Sequence, residues 1–456
     1  MIHGTTHTGR NAFRRKKIMR GRGLFSGNDK PGPRRLALVL LIALNTFFLS
    51  GFLFHVGNRN MEYDDALPRK TLITFLGIQY DAENQSCIEQ ILNGYSAAHN
   101  DMLVSYEGIA LNAYSRLLNQ RLKKDDRADD VFMLPPDCLR PYQRRGRLAD
   151  LSGLPALTAY RPEVLGQMQM GGRPYIATTS LGARGLFANL DLLARYGVST
   201  PRNGKAFLAA CETFRAQGIT PISADREALK TVLTAVSLTP PGGPIRENAA
   251  AFLAALNASP DRLEQAVGKG FALLALLRDK GYICMEDVRG IGSVRFNGLF
   301  CSGGRPFMIG GTWLSPGLAQ ARLGFRFKVF PLPLGEGAPV TVLSLDTPLA
   351  VSASSPHRPQ AVQLVEYLTS PENIRRYADA QGLLSPLRDA PPPADAAVRP
   401  LTDSLREGNV IFRSDIRLAW PLQNGLEAGL DVFLSGGNAG EATAETMRTL
   451  HRERAE

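Results

Sequence analysis

Residue types that carry metal or covalent chemistry are scarce in this sequence of 456 residues, which has five cysteines, six histidines and two tryptophans. The cysteines show no C-x-x-C spacing, and the histidines are too scattered to form a set of metal ligands. The G-x-S-x-G, P-loop and H-E-x-x-H motifs are all absent. We therefore expect no catalytic residues, no cofactor and no metal site.

Net charge is nearly absent outside the N-terminal arm, although the whole chain carries a formal charge of +11. Residues 1–35 hold ten basic side chains against one acid, Asp29, so they account for nine of the eleven charges and leave +2 for the rest. The arm has only two aromatic residues, Phe13 and Phe25, and no known recognition module, which argues against a nucleic-acid partner. We predict a basic cytoplasmic arm over residues 1–35.

A hydrophobic run follows this arm directly. Residues 36–54 carry no charge and are interrupted only by Asn45, Thr46 and Ser50. Such a run can span a bilayer, and basic residues before it stay in the cytoplasm. We predict a transmembrane anchor or uncleaved signal over 36–56 and a spacer over 57–69, which place the remaining chain on the periplasmic side of the inner membrane. A cleaved signal peptide, releasing the protein into the periplasm, is the alternative, although no clear small-x-small site is present.

Export would expose the cysteines to an oxidising compartment, where disulfides form. Cys284 and Cys301 bracket one short segment and are the preferred pair. Free, buried thiols are the open alternative.

Hydrophobic periodicity predicts alternating strands and helices from about Lys70 onward. Strands at 72–78, 103–106 and 130–134 alternate with helices at 83–99 and 111–123, which predicts an α/β fold with a mainly parallel sheet. Further helices are predicted at 203–217, 249–256, 263–280, 359–368, 371–379 and 422–434, and further strands at 307–309, 327–330 and 349–352.

Four motifs occur in a fixed order along this region. They are DVFMLPPDCLRPYQRRG at 130–146 with LADL at 148–151; residues 172–174 with LFANLDLL at 186–193, Gly197 and Pro201; PFMIGGTW at 306–313; and residues 349–352 with 361–368, 370–372 and 382–386. The ordered set resembles family 1 extracellular solute-binding proteins, the group that includes the maltose- and oligosaccharide-binding components of ABC importers.

This resemblance implies a two-lobed periplasmic-binding-protein fold (type II) that closes on its ligand by hinge motion. By analogy, lobe 1 would combine residues 70–178 with 306–345, and lobe 2 would combine residues 179–305 with 346–456. The N-terminal transmembrane or signal helix would precede both lobes.

The leading ligand-binding candidates are Trp313 and Asp137. A sugar site needs flat apolar faces for pyranose rings and polar groups for hydroxyls. Trp313 follows two glycines at the place where the family presents a ring to its ligand, with hinge packing as the alternative. Asp137 matches the family's acidic position after the strand at 130–134, with N-capping as the alternative.

Further candidates lie at the strand ends and hinge crossings. Gln79 and Tyr80 follow the first strand at its carboxyl end, where open α/β sheets bind ligands. Asp346 lies where many relatives carry a glycine pair, and it could contact ligand or cap a turn. Arg184 follows the first crossing and would suit a carboxylate or phosphate on the solute, or pair across the surface.

Two more aromatic residues, Tyr175 and Trp420, complete the candidate site. The segment that contains Trp420, RLAWPL, is equally compatible with a place in the core of the last lobe.

Together these features predict extracytoplasmic binding of a carbohydrate or related polar solute and its delivery to an ABC permease in the inner membrane. The alternative is a membrane-tethered solute sensor or regulatory partner with the same fold. An exported lyase or hydrolase would need clustered carboxylates or a His/Tyr/Arg set, and the sequence shows no such cluster.

Overall fold

The computed structural model describes residues 70–79, 82–123, 128–242, 244–289 and 298–455. The predicted arm, the hydrophobic segment at 36–56 and the spacer lie outside these ranges. Inside them, no helix is both long and apolar enough to cross a membrane.

Most of the strands join one large sheet. They are β1 (Thr71–Gln79), β2 (Met102–Ala110), β3 (Val131–Met133), β4 (Gln169–Met170), β5 (Arg173–Pro174), β6 (Ala177–Asn189), β7 (Ile222–Ser223), β8 (Phe307–Gly311), β9 (Phe327–Phe330), β10 (Thr341–Val351) and β11 (Val410–Phe412). The sheet order is β2-β1-β3-β10-β6-β8-β7, with β11 beside β10 and β9 beside β6. Strands β4 and β5 form a separate small ribbon.

The large sheet is mixed, so the prediction of a mainly parallel sheet was wrong. Strand β1 pairs in parallel with β2 and β3, as the β-α alternation at 72–134 predicts. The two long central strands behave differently: β10 is antiparallel to β3 and β6, and β6 is antiparallel to β8 and β9. The alternation of strands and helices along the chain predicts only the pairing of β1 with β2 and β3. It does not predict the pairing of β6 and β10, because their partners are distant in sequence.

Helices pack against this sheet and against one another. They are α1 (Ala82–Ala98), α2 (Leu111–Leu122), α3 (Leu139–Arg144), α4 (Pro162–Gln167), α5 (Leu190–Arg195), α6 (Gly204–Ala216), α7 (Arg226–Leu238), α8 (Ile245–Ala258), α9 (Pro260–Asp279), α10 (Met285–Arg289), α11 (Ser315–Gln320), α12 (Arg358–Leu368), α13 (Pro371–Gln381), α14 (Pro400–Glu407), α15 (Leu422–Leu434) and α16 (Ala439–Ala455).

Local capping explains where several helices begin and end. The Asn203 side chain accepts a hydrogen bond from Ala206 N at the start of α6, and Asp225 caps α7 in the same way. Ser370 caps α13, which ends at Gly382 in the left-handed conformation with φ +64°. These are the residue types that satisfy free backbone groups at helix ends.

Two separate hydrophobic cores lie in the described chain, as a two-lobed fold requires. The first gathers side chains from β1 to β3, helices α1 to α4 and helices α12 to α14. The second gathers α5 to α9, α15 and α16. Strands β6 and β10 contribute to both: Leu181 and Leu345 lie in the first core, and Leu186 and Val342 lie in the second.

This division differs from the predicted lobes, 70–178 with 306–345 and 179–305 with 346–456. Residues 358–407 pack in the first core and not with the second. Residues 358–407 follow β10, whose C-terminal half packs in the first core. The chain returns to the second core at β11, where Phe412 packs in the first core and Ile411 in the second.

The predicted disulfide between Cys284 and Cys301 was wrong, because all five cysteines are free thiols. Cys284 follows Ile283, which packs in the second core, whereas Cys301 packs against the first core. The two thiols therefore belong to different packing environments. Burial raises the pKa of the Cys301 thiol and, more strongly, that of Cys138, to about 11.

Asp130, at the start of β3, links segments of the first lobe by hydrogen bonds, and its side chain is almost fully buried. One carboxylate oxygen accepts hydrogen bonds from Thr74 N at 2.9 Å and Thr74 Oγ1 at 3.0 Å, and the other accepts one from Ser355 Oγ at 2.6 Å. The carboxylate therefore joins β1 and β3 to the turn after β10.

We expect Asp130→Ala to lower the free energy of unfolding by about 2–4 kcal/mol, because it leaves the buried Thr74 N–H without an acceptor. Urea unfolding followed by circular dichroism measures this loss. The control is Asp403→Ala, which removes an exposed ion pair with Arg406 and should cost less than about 1 kcal/mol. Equal losses in the two variants would contradict the role given to Asp130.

Candidate functional site

A row of small and polar side chains lies where the chain crosses between the two cores. In the antiparallel pairing of β6 with β10, Ser180 lies opposite Asp346 and Gly182 lies opposite Ser344. Residues two apart on a strand face the same side, so Arg184 continues this row toward the second core. We call Ser180, Gly182, Arg184, Ser344 and Asp346 the crossing strip.

Trp313 lies on the crossing strip. It belongs to a 3₁₀ turn (Thr312–Leu314) directly after β8, and Gly311 on β8 pairs with Arg184 on β6. A Cβ on Gly311 would lie 2.1 Å from the indole ring, and a Cβ on Gly182 would lie 3.4 Å from it. The indole therefore packs against bare glycine backbone, yet 43% of the residue stays exposed.

Arg184 makes two contacts on this strip. Its guanidinium carbon lies 4.8 Å from the centre of the Trp313 ring, and its Nη1 donates to Ser344 Oγ at 3.3 Å. Burial, together with the positive charge of nearby Arg413, lowers the pKa of Arg184 to about 9. The pairing across the surface that the sequence left open is absent, because no carboxylate within the described ranges forms an ion pair with Arg184.

Asp346 is fixed by hydroxyl groups at the other end of the strip. Its Oδ2 accepts from Thr347 Oγ1 at 2.9 Å and from Ser180 Oγ at 3.3 Å, and Thr347 Oγ1 is 2.9 Å from the hydroxyl of Tyr377. Burial raises the pKa of Asp346, and the hydrogen bonds from Thr347 and Ser180 act in the opposite direction. A partly desolvated carboxylate held in this way is suited to accept a hydrogen bond from a ligand hydroxyl.

A charged network borders the strip on the side of the second core. Arg413, just after β11, donates to Glu227 Oε2 at 2.8 Å, and Lys230 contacts the other oxygen of Glu227 at 2.7 Å. Burial raises the pKa of Glu227, but these two cations overcome that effect and hold it at about 2. Glu227 is therefore a carboxylate whose charge is already neutralised by its own partners.

Among the described residues, Gln79, Asp137 and Tyr175 make no hydrogen bond or ion pair with Trp313 or Arg184. Gln79 is the last residue of β1 and is partly buried, whereas Tyr80 lies outside the described residues. Asp137 is exposed in the 3₁₀ turn after β3 and caps neither that turn nor α3. The Tyr175 hydroxyl accepts a hydrogen bond from Gln143 Nε2 at 3.4 Å, and its ring packs against the first core.

Trp420 is a core residue, which is the alternative that its sequence context left open. Only 4% of it is exposed, and its indole N–H donates to the carbonyl oxygen of Leu256 at 3.2 Å. His451 meets the ring edge-on and Arg454 covers it at 4.0 Å from the ring centre. These contacts with α8 and α16 leave the ring no surface for a ligand.

Sequence reasoning noted the glycines before Trp313 but did not predict that Gly182 and Gly311 support its ring. Gly182 and Gly311 make room for the indole ring because they have no side chains. A sequence motif is read from side chains that are present, so it does not reveal this role. Two signals were available: the glycine pair before Trp313, and the alternation of Ser180, Gly182 and Arg184 along a strand.

A cavity of about 720 Å³ lies elsewhere, in the first lobe. Helices α13 and α14 and the proline-rich segment 389–393 line it. The cavity contains none of the residues of the crossing strip. Ser180 and Gly182 of the strip are buried, whereas Arg184, Ser344 and Asp346 are partly exposed beside Trp313.

The chain is similar in fold to solved binding proteins. RafE from Streptococcus pneumoniae, solved in its apo form, matches with a TM-score of 0.69 at 18% identity, covering 85% of this chain and 99% of RafE; RafE has also been solved with raffinose. The binding protein MsmE from Bacillus subtilis, in an open conformation, matches with a TM-score of 0.70 at 18% identity, covering 85% of this chain and 98% of MsmE. These likenesses establish the two-lobed fold.

Sequence comparison gives the family. An uncharacterised lipoprotein from the region 5′ of oleD in Streptomyces antibioticus is 26% identical over 332 residues, covering 67% of this chain and 68% of the lipoprotein. The family model described as bacterial extracellular solute-binding protein matches residues 90–401, which is more than half of the chain. The resemblance seen in the four ordered motifs is thereby confirmed, and the chain belongs to the bacterial extracellular solute-binding proteins, which bind substrates and are not enzymes.

Proposed function

We propose that the chain binds a carbohydrate on the outer side of the membrane and delivers it to an ABC importer. The observation that carries this proposal is the position of Trp313, whose ring lies on glycine backbone and stays 43% exposed. An aromatic face of this kind offers the apolar surface on which the C–H face of a pyranose ring can pack.

The neighbours of Trp313 supply the polar half of a sugar site. Ser344, Asp346 and Arg184 lie on the same strip and together offer a hydroxyl, a carboxylate and a guanidinium. Sugar hydroxyls that leave water need such partners, because an unpaired buried hydroxyl is costly. The raffinose bound by RafE supports the same ligand class for this chain.

Delivery and attachment complete the proposal. Family membership supports a location outside the cytoplasm, and the lipoprotein relative supports attachment to the membrane. In this chain, the uncharged residues 36–54 after the basic arm would provide the anchor. The binding domain would then stay beside the permease that accepts its ligand.

A thermal-shift screen of the full chain in detergent tests the proposal. The library holds neutral and acidic mono- and oligosaccharides, with amino acids and short peptides as controls. A saccharide at 100 times its Kd should raise the unfolding free energy by about 2.7 kcal/mol. A folded chain that responds to amino acids or peptides and to no saccharide would overturn the proposal.

A further inference from the structure

Arg184 is a cation without a direct counter-ion at the centre of the candidate site. Among the residues that the structure describes, its hydrogen-bond partner is Ser344 Oγ at 3.3 Å, and its other close contact is the Trp313 ring. Neither partner carries charge. A guanidinium has five N–H donors in a planar fork, so most of its hydrogen-bonding capacity is unused here.

The acids nearest to Arg184 are already occupied. Glu227 is shared by Arg413 and Lys230, and Asp225 accepts from Ala228 N at 2.7 Å as the cap of α7. Asp346 is held by Ser180 and Thr347. None of these carboxylates forms an ion pair with Arg184, and the positive charge of Arg413 adds to the effect of burial in lowering the pKa of Arg184.

Taking a charge out of water without pairing it is unfavourable, and an anion bound at that position relieves the cost. The burial that lowers the pKa of Arg184 is the sign of this cost. Arg184 and the indole ring are in contact, so a ligand whose anionic group pairs with Arg184 also reaches Trp313. The same ligand molecule must therefore carry a group that packs on the indole.

We infer that the solute is an acidic saccharide, with one ring on Trp313 and a carboxylate or phosphate paired with Arg184. This inference rests on the proposed function and narrows its ligand class. Both anions suit the guanidinium, which binds either of them through two parallel hydrogen bonds. In a uronate or a sugar 6-phosphate, the charged group lies at the edge of the pyranose ring, as the contact between Arg184 and Trp313 requires.

Calorimetric titration with matched saccharide pairs tests the inference on the full chain. The probes are short oligomers of glucose, galactose and mannose, the same oligomers with carboxylates in place of the C6 hydroxymethyl groups, and the corresponding 6-phosphates. We expect an acidic member to bind at least about tenfold more tightly than its neutral partner. The comparison of carboxylate with phosphate identifies the anion.

Three variants test whether Arg184 causes any preference for acidic over neutral saccharides. Arg184→Met should bring the acidic and neutral members of the preferred pair to similar affinity. Arg184→Lys keeps the charge but lacks the planar fork, so it should retain part of the preference. The control is Arg448→Met, which removes an exposed arginine on α16 that pairs with Glu445, and it should leave the preference unchanged.

The outcomes separate the two proposals. Equal or tighter binding of neutral members by the unmodified chain would overturn the acidic ligand and leave carbohydrate binding standing. An acidic preference that survives in folded Arg184→Met would overturn the role of Arg184. Absence of binding by every saccharide would overturn the proposed function and this inference with it.

Discussion

Replacing Trp313 with alanine should weaken saccharide binding by about thirtyfold to a thousandfold, which corresponds to about 2–4 kcal/mol. The reason is geometric: the indole presents a large, partly exposed aromatic face on the crossing strip, and it packs there against Gly182 and Gly311. Removing the indole also takes away the surface on which Arg184 lies at 4.8 Å. Titration calorimetry with a saccharide found by screening measures the loss.

Folding should be little affected by this change, because Trp313 is 43% exposed and the second core does not include it. Leu276→Ala is the matched control, since Leu276 is a large apolar residue 39% exposed on α9. It should leave affinity unchanged. Binding by Trp313→Ala within threefold of the original affinity would exclude Trp313 as the stacking surface.

Gly311→Ala should also abolish tight binding, with a loss of at least about tenfold, although it deletes no atom of the site. The new Cβ would lie 2.1 Å from the Trp313 ring, which is closer than any contact that atoms tolerate, so the indole has to leave its position. The backbone itself accepts alanine, because Gly311 has φ −95° and ψ 153°. Gly311→Ala therefore keeps the Trp313 ring in the protein but moves it, so it tests whether binding depends on where the ring lies.

Gly317→Ala provides the control for this experiment. Gly317 lies on α11, close in sequence to Trp313, and a Cβ there meets nothing within 4 Å. Calorimetry and circular dichroism on both variants should show two folded proteins of which only Gly317→Ala binds normally. Full affinity in Gly311→Ala would mean that the ring does not need its place on the glycines.

Local elements could be predicted from this sequence because each is set by short-range periodicity and by its own caps. The prediction of a helix at 422–434 matches α15, and that of a strand at 327–330 matches β9. The helix predicted at 203–217 differs from α6 by the single capping residue at each end. Such features require only the sequence within about four residues.

Long-range pairing could not be predicted in the same way. The strand predicted at 349–352 is only the end of β10, which begins at Thr341, and β6 and α7 were not predicted as complete elements. Both long strands pair with partners more than a hundred residues away, and one-residue changes of register would turn their side chains to the opposite face. For the same reason, the division of residues between the two cores does not follow from the local sequence pattern.

The candidate site shows the same limit. Sequence reasoning led to Trp313, Arg184 and Asp346, which the structure places on or against one strip, but it also led to Trp420, which is buried. The residue type alone does not distinguish an exposed tryptophan from a core one. The difference arises from packing against α8 and α16 at one position and from bare glycine at the other.

Acrylamide quenching of tryptophan fluorescence tests most directly whether the ligand covers Trp313. The chain has two tryptophans, of which Trp313 is 43% exposed and Trp420 is 4% exposed, so the quenchable emission comes from Trp313. We predict that a saccharide shown to bind by calorimetry will protect this emission from quenching in a saturable manner, and that Trp313→Ala will show no protected fraction. Unchanged quenching of the unmodified chain at saturating saccharide would contradict the account.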